Sequence, residues 1–245
     1  MGEPRFEPLS HFEVRPILEL TLFGMDISIS NSVLWIWLSV FSALLFLLFA
    51  SRRGLFIPDR MQVLVEMLYL LIRDMVEKNI GKEGMAYFPL LFTLFVFVLF
   101  CNLMGLVPGG FAPTSQIIVT GSLAVTVFIF TIILRVVRHK WGFFRAFAPE
   151  GLPPVLLLLM IPVEIISFIA RPISLAVRLF ANMTAGHTVL AVIAFFGLVS
   201  PWFVAWAPLG FSIIFTAMEI FIAIIQAYIF TILSCVYIDD ALAYE

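Results

Sequence analysis

Apolar residues run almost unbroken through Val33–Ala50, Phe88–Val107, Ile117–Val137, Pro154–Val199 and Leu209–Ile238, and polar residues collect between these runs. A helix needs about 20 apolar residues to cross a hydrocarbon core about 30 Å thick, because lipid offers its backbone no hydrogen-bond partners. The first three runs fit one crossing each, and Ser30, Asn31 and Ser32 supply N-cap side chains for the first. The last two, as straight helices at about 1.5 Å per residue, would measure roughly 68 Å and 45 Å. Both exceed the core, so either each tilts steeply or the longer one hides a turn. Pro162, Pro172 and Gly186 could bend it, but it holds no cluster of turn residues to reverse it. The expected fold is all-α and polytopic, with about five membrane helices, the last two long and steeply tilted.

Residues 59–84 follow a different pattern. Val63, Leu64, Met67, Leu68, Leu71, Ile72 and Met75 recur at helical spacing, with Glu66, Arg73, Asp74, Glu77 and Lys78 mostly on the other side. Such a segment lies in the membrane interface and does not span. Arg52 and Arg53 close the first run, and Arg135, Arg138, His139, Lys140 and Arg145 follow the third. Basic residues near span ends favour the cytoplasmic side. Both clusters fall there when the N-terminal tail lies outside, which also puts Asp239, Asp240 and Glu245 in the cytoplasm. The first 16 residues are charged and lack the basic start and apolar stretch of a cleaved signal peptide.

Composition agrees. Of 245 residues, 62% are hydrophobic and only 12% charged, with a mean hydropathy of +1.12. A soluble domain carries about 25% charged residues, so most of this surface faces lipid. The net charge of −2 points to no nucleic-acid partner. Cys101 and Cys235 sit in apolar runs as small buried hydrophobes and give no metal-ligand spacing.

The informative residues are charges inside the apolar runs. Of the 14 Lys and Arg, only Arg171 and Arg178 fall within the long fourth run, and of the 16 acids only Glu164 and Glu219 lie well within membrane helices. A charge at the bilayer centre costs at least about 2.5 kcal/mol and usually faces a cavity, a partner or an ion path. Glu164, Ser167, Arg171, Ser174, Arg178 and Asn182 advance in steps of 3, 4, 3, 4 and 4. At about 100° per residue they stay in one sector roughly 80° wide. In the last helix Ser212, Thr216, Glu219 and Gln226 likewise share a face, whereas His187 points away from the arginine stripe. Two faces with different ionisable groups suit two separate aqueous routes.

Plainer roles remain open for most of these residues. Arg171, one heptad from Glu164, fits a structural ion pair or a snorkelling side chain. Glu219 fits an interhelical hydrogen bond, His187 a packing role, and Asn102 either a helix-end cap or a channel group. Ala181, Ala185 and Gly186 suit close helix approach. Arg178 is hardest to explain structurally, because no acid lies three or four residues away.

The string Arg171-Pro172-Ile173-Ser174-Leu175-Ala176-Val177-Arg178-Leu179-Phe180-Ala181-Asn182-Met183-Thr184-Ala185-Gly186-His187 resembles the signature of subunit a of the F-type rotary ATP synthase. Phe100 to Pro108, the Glu219-to-Gln226 spacing and the order of elements along the chain are similar too. The resemblance implies that Arg178 faces a ring of small membrane subunits and their ion-carrying carboxylate. It implies that Asn182 and Gln226 are polar neighbours of Arg178, and that Glu164 serves a cytoplasmic path. His187 and Glu219 occupy the positions of an acid–histidine pair. Their order is the reverse of the best-known bacterial pattern and matches mitochondrial versions. Position 171, often lysine in the family, keeps its charge as arginine. With Asn102, the pair would line the outer route.

The resemblance also implies peripheral-stalk membrane subunits and, indirectly, a soluble ATPase head as partners, in an energy-transducing membrane, bacterial inner or mitochondrial inner. The residues 1–245 then form a single membrane domain: an outer-side tail (1–32), span one (33–50), the interfacial helix (59–84), a hairpin (88–137) and a long tilted hairpin with the ion path (154–238). The chain shows no phosphate-binding loop, metal cluster or nucleophile–base motif, so no cofactor and no catalytic step are expected of it. Two other classes stay open: a secondary transporter holding an anion on Arg178, although no internal repeat is evident, and a structural membrane scaffold, which would leave the two polar stripes unexplained.

Overall fold

The computed structural model describes residues 14, 16–18, 21–22, 25–26, 28–51, 59–107, 109–139, 154–199, 201 and 206–242. Arg52, Arg53, Lys140, Arg145, Glu245 and the first 13 residues of the outer tail, on which part of the expected topology rests, lie outside them.

Six α-helices carry the described fold: α1 (Asn31–Ser51), α2 (Arg60–Asn79), α3 (Phe88–Gly105), α4 (Ile117–His139), α5 (Pro154–Val199) and α6 (Trp206–Leu242). All but α2 are long and apolar enough to cross a membrane. The fourth apolar run is one continuous helix of 46 residues, with Pro162 and Pro172 inside it. It has no hidden turn. The sixth helix, at 37 residues, extends past the apolar run at both ends. At about 1.5 Å per residue these lengths are about 69 Å and 55 Å, well beyond one straight crossing.

The tail holds structure that the apolar pattern did not suggest. Strand β1 (Pro16–Leu18) pairs antiparallel with β4 (Ile29–Ser30), and β2 (Thr21–Leu22) with β3 (Met25–Asp26), nested inside. The hairpin leads directly into α1, where the Asn31 carboxamide oxygen accepts from the Ser32 amide at 2.8 Å.

The amphipathic segment also ends earlier than its pattern implied. Helix α2 starts on Asp59, whose carboxylate accepts from the Arg60 amide, and stops at Asn79. Gly81, at φ 79°, takes a left-handed conformation that side chains disfavour, and a short 3-10 turn follows at Lys82–Ala86. Ile72, Met75 and Val76 of α2 pack into the bundle, whereas Leu64, Met67 and Leu71 remain exposed. The apolar stripe thus divides between bundle and surroundings.

The core forms where α3, α6 and the middle of α5 meet, around Leu91, Phe95, Val98, Leu175, Leu179, Ile238 and Phe230. Helix α6 touches α2, α3, α4 and α5, so it is the organising element. Helix α3 is the most enclosed of the spanning helices and α5 the least. One side of α5 is therefore left uncovered, and the polar stripe lies on that side.

Candidate functional site along the seam between the two long helices

Helices α5 and α6 run antiparallel, and three polar pairs cross their seam. At one end the Arg171 guanidinium meets the Asp240 carboxylate, Nη1 to Oδ2 at 2.6 Å. Midway, the Asn182 carboxamide donates to Gln226 Oε1 at 2.8 Å. Toward the other end His187 Nδ1 lies 3.8 Å from Glu219 Oε1. Arg178 sits in the widest gap of this ladder, between the first and second rungs.

Arg178 itself is exposed, as are Ser174, Ala181, Asn182 and Ala185 along the same side of α5. Among the described residues no carboxylate lies within ion-pair distance of it. The stripe expected from the 3-and-4 spacing is thus an open face, with Glu164 half-buried and Ser167 exposed further along. Ala181 and Ala185 lie on this open face and do not form a helix contact. Gly186 does.

The opposite face of α5 turns inward. His187 and Gly186 approach α6, where Glu219 is 3% exposed and Gln226 2%. A methyl group on Gly186 would stand 2.5 Å from Glu219 Oε1, closer than van der Waals contact permits. Gly105 of α3 presses on the other side of the histidine: a methyl group there would stand 3.2 Å from His187 Nε2. Two glycines therefore let an acid and an imidazole meet inside the bundle. Among the described residues neither carboxylate oxygen of Glu219 has a hydrogen-bond partner. Buried oxygens without donors cost free energy and are what a site for ordered water or proton transfer presents.

Asn102 of α3 is fully buried and does not cap its helix; its Nδ2 donates across to the Ala223 carbonyl of α6 at 3.3 Å, one turn from Glu219. Among the described residues its Oδ1 lacks a partner, as does the Thr114 hydroxyl in the 3-10 turn Pro113–Ser115. The next residue, Ser115, accepts from Thr184 of α5 at 3.4 Å through its carbonyl. The structure thus brings Asn102, His187 and Glu219 to one end of the bundle, together with Thr114, which the pattern of spans did not single out. Thr114 lies in a loop, where helical periodicity gives no signal.

Arg171 does form an ion pair, but its partner is Asp240, not Glu164 one heptad away. The stem of Arg171 also sets its guanidinium 5.7 Å from the centre of the Tyr237 ring. Arg135 of α4 reaches the same end of α6 and donates from Nη2 to the Asp240 carbonyl at 2.9 Å. Asp240 was legible in one respect: Glu219, Gln226 and Asp240 are separated by multiples of seven residues, as are Glu164, Arg171 and Arg178. Such spacing keeps residues near one face of a helix.

Comparison with known sequences gives a consistent answer. A sequence model of the family described as ATP synthase A chain matches residues 33–239. A protein of Magnetococcus marinus named ATP synthase subunit a is 52% identical over 243 residues, covering 98% of this chain and 94% of its own. One of Rhodospirillum rubrum with the same name is 44% identical over 235 residues, covering 96% and 98%.

Proposed function

We propose a function from one premise: this chain belongs to the ATP synthase A chain family. It is a multi-pass protein of an energy-transducing membrane and the stator of the proton channel of a rotary ATP synthase. It conducts protons through two offset half-channels, to and from the carboxylates of a ring of small membrane subunits. Its other partners are the membrane subunits of the peripheral stalk and, through them, the soluble ATPase head. Its N-terminus lies outside and its C-terminus in the cytoplasm. Nucleotide chemistry takes place on other chains.

The observation that carries this reading is Arg178, a cation on an uncovered helix face in an apolar span, with no acid paired to it among the described residues. A ring carboxylate is neutral when protonated and crosses lipid cheaply; once ionised it needs a cation beside it. Arg178 supplies that cation, favours proton release there, and blocks direct passage between the routes. Guanidinium suits the task because it does not deprotonate at working pH. Asn182 and Gln226, bonded to each other beside it, keep the neighbouring seam polar and closed.

His187, Glu219 and Asn102 line the outer route, an imidazole and a carboxyl group placed side by side to hand protons on. Glu164, half-buried on the arginine stripe, serves the cytoplasmic route. The driving force is about 2.3 kcal/mol per proton per 100 mV of membrane potential. A transporter that held an anionic substrate on Arg178 would need the arginine enclosed, and it is exposed.

The test is Arg178→Ala in the assembled complex. Proton-driven ATP synthesis should be lost while the ring and the ATPase head still copurify. Synthesis at the wild-type rate would overturn the reading.

A further inference from the structure

The Asn182–Gln226 bond lies one turn along α5 from Arg178, and the Arg171–Asp240 pair lies two turns away in the other direction, near the end of α6. Seven residues advance an α-helix about 10 Å and return it to within about 20° of the same face. Arg171 therefore marks the Arg178 face at the end of the helix nearest the basic cluster. Asp240 is gripped twice: its carboxylate by Arg171 of α5, its carbonyl by Arg135 of α4. The guanidinium of Arg135 also lies 5.9 Å from the centre of the Phe168 ring of α5, one turn before Arg171. Helices α4 and α5 thus converge on the last turns of α6.

We propose that Arg171 and Asp240 are positioning residues, a tie that fixes the register of α5 against α6 and so holds Arg178 at the height where it separates the two half-channels. The tie works with the Asn182–Gln226 bond on the other side of Arg178. Between these two points the arginine is left unbonded across the seam, and both helix backbones are pinned. Helix α5 benefits from such pins, because among the described residues it is the least enclosed spanning helix. Without the tie, every polar rung of the seam lies on the Asn182 side of Arg178, and the helices can pivot about those rungs. Pivoting displaces Arg178 from the barrier and lets protons slip. Arg171 is half-exposed at its side chain and Asp240 slightly more so, with relative exposures of 30% and 39%, so water screens the pair. Its value lies in geometry.

This inference rests on the role given to Arg178 above. The experiment uses membrane vesicles with the assembled complex, its soluble head bound and nucleotide absent so that the ring is held, and measures passive proton conductance per complex. Arg178→Ala is the control for the parent reading; conductance indistinguishable from wild type there would sink that reading first. With the control responding, Asp240→Ala should raise passive conductance about fivefold, the scale of losing one modest interaction. Asp240→Asn, which keeps an acceptor for Arg171, should stay within about twofold of wild type. The exchange of Arg171→Asp with Asp240→Arg should restore most of the tightness lost in either single variant.

A proton-carrying role for Asp240 predicts instead that Asp240→Asn and Asp240→Ala both lower conductance, and that outcome overturns the tie, as does an Asp240→Asn variant as leaky as Asp240→Ala. So does an exchange no tighter than the single variants, or unchanged conductance in Asp240→Ala. Should Asp240→Ala not assemble, Asp240→Asn and the exchange decide by the same two criteria.

Discussion

Glu219 is the residue whose surroundings are most constrained, because a glycine was needed to admit it. The Gly186 Cα faces the carboxylate so closely that a methyl group would meet Oε1 at 2.5 Å and the carboxyl carbon at 2.9 Å. The shape is specific in a way that composition is not. Gly186→Ala should push Glu219 off His187 and lower ATP-driven proton pumping about tenfold, equivalent to about 1.4 kcal/mol on the limiting step. Fluorescence quenching of a pH-sensitive dye in vesicles reads this directly. Adding Glu219→Asp to the alanine variant shortens the acid by one methylene and should recover part of the rate. Full activity of the single variant would show that the carboxylate has room the structure does not give it.

At the scale of helices, α3 matters because it delivers Asn102 into the interior against α6. Asn102 is wholly buried, holds the Ala223 carbonyl, and leaves Oδ1 without a partner among the described residues. Asn102→Leu loses one hydrogen bond of about 1 kcal/mol but also removes a buried unsatisfied oxygen, so the two effects nearly cancel. The thermal unfolding of the complex should hardly move, while proton flux through the outer route falls severalfold. Leu179→Ala, in the wholly buried core of α5, should do the opposite: about 2–5 kcal/mol of stability lost with the polar route intact. Thermal melting and proton pumping measured on both variants separate route from packing. The same contrast explains what the sequence revealed. Helical periodicity exposes any polar face, so the Glu164-to-Asn182 stripe, the Glu219–Gln226 face and the five spans could be read from spacing alone. Pairing across a seam depends on how two antiparallel helices are offset, so Asp240 as the partner of Arg171, 69 positions away, could not. The hairpin at 16–30 did leave a trace, alternation at Leu18, Leu20 and Leu22 and again at Ile27 and Ile29, which span-length reasoning passes over.

For the whole molecule, the odd number of spanning helices is the property with the widest consequence. Among the described residues five helices are long and apolar enough to cross, and five crossings would put the start of α1 and the end of α6 on opposite sides; the bonds at one end of the bundle tie together elements that would then share a side. Arg138 of α4 meets Glu83 of the 3-10 turn after α2 at 3.0 Å, and Arg135 and Arg171 meet Asp240 near the end of α6. The hairpin ahead of α1 and the turn holding Thr114 both border the other end of α1. Charge then decides which end is which, since the basic residues gather with Arg135 and Arg138, and basic ends are retained in the cytoplasm. The chain is well suited to a direct test, because Cys101 and Cys235 are both fully buried and should stay silent toward a membrane-impermeant thiol reagent. Ser28→Cys, beside the hairpin, should be labelled in intact cells. Lys82→Cys, exposed in the turn after α2, should be labelled only in inverted vesicles. The reverse pattern would place Arg138 outside and exchange the two half-channels, making His187 and Glu219 the cytoplasmic pair and Glu164 the outer acid. Labelling of both positions from one side would require an even number of crossings between them, which the single helix α1 does not provide.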